Sequence, residues 1–148
     1  MYARINLSGT NYDINSLGLD ARLLLEPNVK ELSNIYYEYV SYKMFPSVMP
    51  LFTEEYTYSQ SDVVGYYDNN NLVAFTLMFK YNSKNVAAAQ FAWTYHKPKL
   101  RLGFRSLEWL CAWYKSLEYD YIYLGDDAEY KRQLDGFEVL GPRLIRPF

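Results

Sequence analysis

The sequence predicts an α/β (α+β) fold with a mixed sheet, in which an antiparallel meander precedes one parallel strand–helix–strand crossover and helices cover both faces. Three largely extended runs follow one another over residues 62–95, with short polar turns between them. An amphipathic helical pattern then covers 104–118, and another apolar run begins at Tyr121. Short turns join antiparallel strands, whereas parallel strands require a long crossover, usually a helix.

The first half of the chain is expected to contain a short strand at 1–8 and one helix. Asn28 is a suitable N-cap, and apolar side chains then recur at helical spacing up to the break at Phe45-Pro46. The segment 46–60 contains two prolines. We expect it to form a loop over one face of the sheet.

The meander is predicted from its turns and from one very apolar run. The turn Asp68–Asn71 contains three consecutive asparagines, which tolerate left-handed dihedral angles. Leu72–Phe79 is almost wholly apolar, as expected of a central strand covered on both faces. The predicted strands are Asp62–Tyr67, Leu72–Tyr81 and Val86–Tyr95.

The second half of the chain is predicted to alternate helices and strands. The unit at 86–124 is expected to be a right-handed crossover between parallel strands. Trp109 and Trp113 form a second apolar stripe on the helix of this unit. We expect this stripe to pack in the core or to form a dimer contact. The predicted elements are a helix from about Phe104 to Glu118, the strand Tyr121–Leu124, a short helix at Ala128–Leu134, and the strands Phe137–Leu140 and Leu144–Arg146.

Composition predicts a single soluble domain over residues 1–148. The net charge is −2, so the chain as a whole is not a general binder of polyanions. The single cysteine, Cys111, excludes an internal disulfide and a cysteine-based metal cluster, and it is expected to be a buried thiol. The sequence contains no signal-peptide pattern and no apolar run of membrane-spanning length. We therefore expect a cytoplasmic protein without membrane association.

The distribution of charge points to an anion site at the start of the long helix. Residues 70–107 contain no Asp or Glu, whereas four cations lie within Lys97–Arg105. Helix N-termini attract anions, and Arg105 in the first turn opposes the helix dipole unless an anion lies beside it. A phosphate held by backbone N–H groups and by Arg101 or Arg105 would resolve this conflict, with Gly103 allowing close approach. The alternative is a solvated basic loop without a ligand.

The order of these elements and several short motifs resemble the GNAT superfamily of acyltransferases, locally the GNAT-like half of arginyl- and leucyl-tRNA–protein transferases. The resemblance covers roughly residues 62–142. It is carried by Gln90-Phe-Ala-Trp-Thr-Tyr95, Pro98-Lys-Leu-Arg-Leu-Gly-Phe-Arg-Ser-Leu107, Tyr121-Ile-Tyr-Leu-Gly125 and Tyr130-Lys131. It implies a GNAT-like domain with a pyrophosphate-binding turn, whose cofactor-binding residues are Tyr95, Leu100, Arg101, Leu102, Gly103, Phe104, Arg105 and Ser106.

The sequence departs from the family patterns in three respects. Its phosphate turn usually begins with Gln or Arg and ends with Gly or Ala, whereas this chain has Leu100 and Arg105 there. The tRNA-dependent relatives tend to have an acid where Thr94 stands. The tyrosine that often protonates the leaving thiolate lies closer to the Gly-Phe pair than Tyr130 lies to Gly136-Phe137.

The resemblance implies acyl transfer to an amine between the strands at 86–95 and 121–125. Tyr130 is the candidate acid, unless it packs beneath the sheet. Asp126 or Asp127 and His96 are candidate bases, although the aspartates also suit helix capping and the histidine a solvated loop. Glu54-Glu55 are either contacts for a basic acceptor or plain surface.

The sequence therefore leaves three functional hypotheses. The first is an N-acetyltransferase that uses acetyl-CoA (CoA) and no metal, with an amine of a small molecule or a protein as acceptor. The second is an aminoacyl transferase that uses charged tRNA, and the third is a catalytically inactive GNAT-fold binding module. The acidic pI of about 5.4 weighs against tRNA as a partner. The protein is expected to be a monomer or a homodimer.

Overall fold

The computed structural model describes residues 2–43, 53–94, 101–126 and 129–140. Within these ranges the strands form one mixed sheet in the order β2-β3-β4-β5-β6-β1-β7. The strands are β1 (Tyr2–Asn6), β2 (Asp20–Leu23), β3 (Ser61–Asp68), β4 (Asn71–Lys80), β5 (Asn85–Trp93), β6 (Tyr121–Asp126) and β7 (Phe137–Leu140). The helices are α1 (Ile14–Leu17), α2 (Val29–Lys43) and α3 (Leu102–Ser116), with 3₁₀ turns at Leu7–Gly9, Thr53–Thr57 and Glu129–Gln133.

The antiparallel meander is confirmed, since β3 pairs with β4 and β4 pairs with β5. The turn between β3 and β4 has Asn69 and Asn70 at φ angles of 50° and 64°, the left-handed conformation that asparagine tolerates. Strand β4 is central and covered on both faces, because Ala74 and Met78 pack in one core cluster and Phe75 and Leu77 in another.

The parallel crossover is also confirmed, because β5 and β6 run parallel and α3 connects them. The expected start of the helix was wrong by two residues. Helix α3 begins at Leu102, so Gly103 lies in its first turn rather than in a preceding loop. Arg101 takes the left-handed conformation instead (φ 50°), and its carbonyl accepts the N–H groups of Phe104 and Arg105.

Helices cover both faces of the sheet, as expected. Helix α3 packs on one face, where Leu110 and Tyr114 join a core with side chains of β1 and β6. Helix α2 packs on the other face through Leu32 and Tyr36. Asn28 caps α2 as predicted, since its carboxamide oxygen accepts the N–H of Glu31 at 3.2 Å.

The position of β1 is the main feature that the sequence did not predict. A strand was expected near the N-terminus, but β1 lies between β6 and β7 and is antiparallel to both. Strand β2 and helix α1 were also not predicted. The expected helix at Ala128–Leu134 is a 3₁₀ turn in its described part, and the expected strand Leu144–Arg146 lies outside the described residues.

Candidate active site

A cleft opens between β5 and β6 because the two strands pair over only three residues. Their ladder runs from the Asn85–Tyr121 pair to the Ala87–Tyr123 pair, although β5 continues to Trp93 and β6 to Asp126. From Ala88 onward, the edge of β5 that faces β6 therefore presents peptide groups that no strand among the described residues uses. Such groups are suited to hydrogen-bonding a substrate carbonyl.

Both strands contain an irregularity where they separate. Leu77 and Met78 of β4 pair with Gln90 and Ala88, so Ala89 is an extra residue in β5. Between the Ala3–Gly125 and Arg4–Tyr123 pairs, Leu124 is similarly extra in β6. Bulges bend a strand and increase its local twist, and they occur often beside active sites. The two bulges thus account for the divergence of the strands.

A cavity of about 230 Å³ occupies this opening. On the α3 side it is lined by Thr76, Gly103 and Ser106, and on the β6 side by Leu124 with Tyr130 and Lys131 of the 3₁₀ turn that follows. Ala88–Phe91 of β5 form another wall. The cavity therefore connects the diverging strands with the first turn of α3.

The start of α3 presents backbone donors to this cavity. Among the described residues, no acceptor is recorded for the N–H groups of Leu102 and Gly103, whereas those of Phe104 and Arg105 bond to Arg101. The first turn contains no acidic side chain. A Cβ atom added at Gly103 would meet nothing within 4 Å, so the space beside this backbone is open. This end of the helix has the properties that attract an anion.

Three cationic side chains lie near the helix start or the cavity, and each makes different contacts. Arg101 is exposed, and its guanidinium lies 5.8 Å from the ring centroid of Phe104. The guanidinium of Arg105 donates instead to the carbonyl of Leu17 in α1, so Arg105 ties α1 to α3. Lys131 lines the cavity, and its Nζ donates to the carbonyl of Leu124 at 3.2 Å.

Glu108 is the first acid of α3, and it directly follows Leu107, the last residue of the helix that lines the cavity. Burial raises the pKa of its carboxyl, while Arg105 and Arg101 lower it. The negative charge on α3 is thus placed away from the helix start. This arrangement leaves the N-terminal amides available to a ligand.

Buried hydroxyl groups form the floor of the cavity on the α3 side. The hydroxyls of Tyr66 and Thr76 lie 2.8 Å apart, and Tyr66 also bonds to Ser106. All three side chains are buried, and burial raises the pKa of Tyr66, which keeps its phenol neutral. The cluster holds Ser106 in a fixed position at the cavity wall.

Gln90 is the polar side chain on the opposite side of the opening. Its Oε1 accepts a 2.8 Å hydrogen bond from the hydroxyl of Tyr56, which is buried on the α2 face and packs edge-on against Phe75. Burial raises the pKa of Tyr56, so the phenol remains a donor. Because this bond orients the carboxamide, it also sets the direction in which the Nε2 group of Gln90 can donate to a ligand.

The structure places only part of the predicted site. Gly103, Ser106 and Tyr130 line the cavity, and Tyr130 is 49% exposed. Leu102 is buried in the core, and Phe104 packs partly against the same core. Arg101 is exposed, and Arg105 donates to the carbonyl of Leu17. Tyr95, His96 and Leu100 lie outside the described residues, as do Lys97, Lys99 and Asp127.

The expected position of Asp126 was wrong in one respect. The strand was predicted to stop at Leu124, but β6 continues to Asp126, whose backbone pairs with Tyr2. The added strand length follows from β1, which supplies hydrogen-bonding partners beyond Leu124. Glu54 and Glu55 lie in the 3₁₀ turn at Thr53–Thr57 that also contains Tyr56.

Among the cavity residues that sequence reasoning missed as site candidates are Thr76, Gln90, Leu124 and Lys131. Lys131 follows the candidate acid directly, and Gln90 opens the motif that carried the resemblance, so their positions gave a signal. The bulges at Ala89 and Leu124 gave no signal in the sequence, because alanine and leucine are also found in regular strands.

Two other expectations concern side chains on α3. Cys111 is a buried thiol, as predicted, and burial raises its pKa to about 12. Trp109 is buried in the core and stacks on Trp113 with ring centroids 5.4 Å apart, which confirms core packing for Trp109.

The described residues contain neither a metal-binding cluster nor a membrane-spanning helix. No group of three or more His, Cys, Asp or Glu side chains there is arranged to hold a metal ion. No helix among those residues has both the length and the apolarity needed to cross a lipid bilayer.

No known protein family and no curated protein matches the sequence, but solved structures resemble the fold. The C-terminal domain of a lysylphosphatidylglycerol synthetase from Agrobacterium fabrum has a TM-score of 0.62 at 14% identity, covering 84% of this chain and 45% of that chain. A GCN5-related N-acetyltransferase from Kribbella flavida has a TM-score of 0.56 at 13% identity, covering 93% and 52%.

A smaller relative matches over most of its own length. An aminoglycoside acetyltransferase from an uncultured soil metagenomic sample, in complex with sisomicin, has a TM-score of 0.57 at 10% identity, covering 80% of this chain and 83% of that chain. By contrast, this chain spans slightly less than half of the synthetase structure. Identities this low show the fold and not the substrate. The mixed sheet, the diverging parallel strands and the helix between them are those of the GNAT-like α/β fold.

Proposed function

We propose that the protein is an N-acyltransferase that transfers an acetyl group from acetyl-CoA to an amine of a small molecule or a protein. The observation that carries this proposal is the cavity between β5 and β6, which joins unpaired strand edges to the open N-terminus of α3. A pyrophosphate at Leu102–Gly103 would direct the rest of the donor along β5. The thioester carbonyl would then lie at the free peptide groups beyond Ala87.

The reaction requires few groups from the protein. The amine nitrogen attacks the thioester carbon, so a C–N bond forms while the C–S bond breaks. Peptide N–H groups of β5 hold the developing oxyanion. The hydroxyl of Tyr130, at the β6 wall, protonates the leaving thiolate, and the proton of the attacking amine passes to a base or to solvent. Asp126 and His96 are the proposed bases.

Donor binding provides the direct test of this proposal. Thermal unfolding is measured with acetyl-CoA and with CoA at millimolar concentration, and adenosine serves as a control that lacks the pyrophosphate. Ligands that bind only the folded state raise its stability, by about 2.7 kcal/mol at 100 times Kd. We expect both CoA compounds to raise the Tm and adenosine to leave it unchanged. If neither CoA compound stabilises the protein, acetyl-CoA is not the donor.

A second candidate is aminoacyl transfer from a charged tRNA. One solved structure of similar fold is named a lysylphosphatidylglycerol synthetase, and another, from Bacillus licheniformis, is named L-PGS. Binding of tRNA that weakens steeply with salt would favour this candidate, because phosphate contacts release counterions. An inactive binding module is the third candidate. If the protein turns over a substrate and the variants Tyr130→Phe and Asp126→Asn turn it over more slowly, the inactive module is excluded.

A further inference from the structure

A second cavity, of about 520 Å³, adjoins the cleft on the α2 face of the sheet. Ala87 and Tyr123 contribute to it, and they alternate along their strands with Val86 and Ile122, which face the α3 core. Ala87 and Tyr123 therefore lie on the opposite face, the one that α2 covers. We call this cavity the aromatic groove, and it is lined chiefly by Tyr2, Phe79, Tyr81, Asn82, Asn85 and Tyr123.

The aromatic groove is continuous with the proposed transfer site. Ala88 and Ala89 line both cavities, and Ala89 is the bulge residue of β5. A molecule in the groove would therefore meet a donor in the cleft at the point where the strands diverge. The two cavities lie mainly on opposite faces of the sheet, so a donor and an acceptor can enter without competing for space.

The lining of the groove indicates the chemistry of its occupant. None of its lining residues in the described ranges is charged. Arg4, which reaches the hydroxyl of Tyr123, is already paired with Glu138 at 2.6 Å and lies over the ring of Tyr121. The rim is fixed as well, since the side-chain oxygen of Asn82 accepts the N–H groups of Lys84 and Asn85.

These properties favour a flat apolar body over a polycation. Several ammonium groups buried in an uncharged groove would lose hydration without gaining carboxylate partners. Tyrosine and phenylalanine rings instead offer large contact areas to another ring. An uncharged site also disfavours the ammonium form of a single amine, which promotes the neutral amine needed for attack.

We propose that the aromatic groove binds the acceptor, and that the acceptor is a primary amine attached to an aromatic or similarly flat apolar body. This inference rests on the proposed acyltransferase function, since the groove supplies the amine to the cleft. It excludes multiply charged acceptors such as aminoglycosides as preferred substrates.

The test uses the whole chain labelled with ¹⁵N and three separate titrations, with 2-phenylethylamine, with the aminoglycoside sisomicin and with acetyl-CoA. The variant is the double replacement Tyr2→Ala and Tyr81→Ala. Its control is Tyr37→Ala with Tyr42→Ala on α2. Tyr81 and Tyr42 are exposed to similar extents, 67% and 65%, so neither pair should affect folding strongly.

We expect 2-phenylethylamine to shift the amide signals of Ala87–Ala89 and Tyr123. Its Kd should rise at least about fivefold in the groove variant and change by less than about twofold in the control. Sisomicin should leave these signals unchanged. The inference is overturned if 2-phenylethylamine does not bind, if the groove variant binds it normally, or if sisomicin binds the groove more tightly.

The acetyl-CoA titration separates this inference from the proposed function. Acetyl-CoA should shift the amide signals of Gly103 and Ser106. If it does so while 2-phenylethylamine fails to bind, the acceptor class is wrong and the acyltransferase proposal stands. If acetyl-CoA causes no shift while the amine binds, the acyltransferase proposal and the acceptor role both fail, and only an amine-binding groove remains.

Discussion

The phenol of Tyr56 and the carboxamide of Gln90 form a 2.8 Å hydrogen bond that joins the 3₁₀ turn under α2 to the strand lining the cleft. Tyr56 is buried against Phe75, so its ring has little freedom to move. The bond therefore fixes the direction in which the amide N–H groups of Gln90 point. Through it, a residue remote from the helix start helps to shape the opening between β5 and β6.

The first prediction concerns this pair. Tyr56→Phe removes the donor and frees the Gln90 side chain to rotate, so kcat/KM should fall by about tenfold, with a loss of about 1 kcal/mol in stability. Steady-state kinetics and urea unfolding measure the two effects. Tyr114→Phe is the control, because that buried phenol bonds to Asp62 away from the cleft. An equal loss of activity in the control would show that Gln90 has no special role.

The second prediction concerns the helix start. Gly103→Asp adds a carboxylate where the helix dipole favours one, so the Tm should rise by up to about 3 °C. The same carboxylate should repel a phosphate and weaken acetyl-CoA binding at least tenfold, as a rough estimate. Gly103→Asn has almost the same shape without the charge, so the difference in affinity between the two variants measures the effect of the charge. Calorimetric titration measures the binding, and unimpaired binding by the aspartate variant would rule out an anion at this position.

The third prediction concerns Lys131. Lys131→Gln removes the cation that lines the cavity, so the Kd for acetyl-CoA should rise by about tenfold. Lys84→Gln is a matched control, since Lys84 also donates to a backbone carbonyl, that of Glu118, at 3.1 Å. We expect similar small losses of stability in both variants and a loss of binding in the first alone. Equal affinities for acetyl-CoA would place the phosphates elsewhere.

The fourth prediction concerns Cys111. The thiolate is the reactive form of cysteine, and burial raises the pKa of this thiol to about 12 with only 1% of the residue exposed. The folded protein should therefore not react with Ellman's reagent at pH 8, whereas protein unfolded in guanidinium should react within minutes. Stability should fall as the pH rises from about 9 toward 12, because only the unfolded chain then loses the proton. Rapid labelling of the native protein would contradict this account.

The meander and the crossover were predictable because local patterns determine them. The three asparagines after Asp68 specify a left-handed turn, and the apolar stripe of α3 follows helical spacing. The turn before α3 was harder to place. Gly103 was the obvious residue for a positive φ angle, but Arg101 adopts it and its carbonyl bonds to Phe104 and Arg105.

Most of the candidate site depends on contacts between distant segments. The orientation of Gln90 depends on its hydrogen bond to Tyr56, which lies 34 positions away in the sequence. Arg101 or Arg105 was expected to hold phosphate, but the guanidinium of Arg105 donates to the carbonyl of Leu17 in a helix that the sequence did not predict. Hydrogen bonds between residues so far apart in the sequence produce no periodic pattern that could predict them. The charge pattern around Gly103 is local, so it could be identified from the sequence.

The placement of β1 between β6 and β7 has a consequence for how the molecule assembles. Arg4 and Glu138, which form an ion pair across β1 and β7, are 134 positions apart. Contacts at such separations slow folding, because a long loop must close before they contribute. During synthesis β1 therefore cannot form its strand pairs until β6 and β7 have left the ribosome. The β6 wall of the cleft therefore gains its pairing with β1 only late in synthesis, and until then the unpaired edge of β1 is open to chaperones.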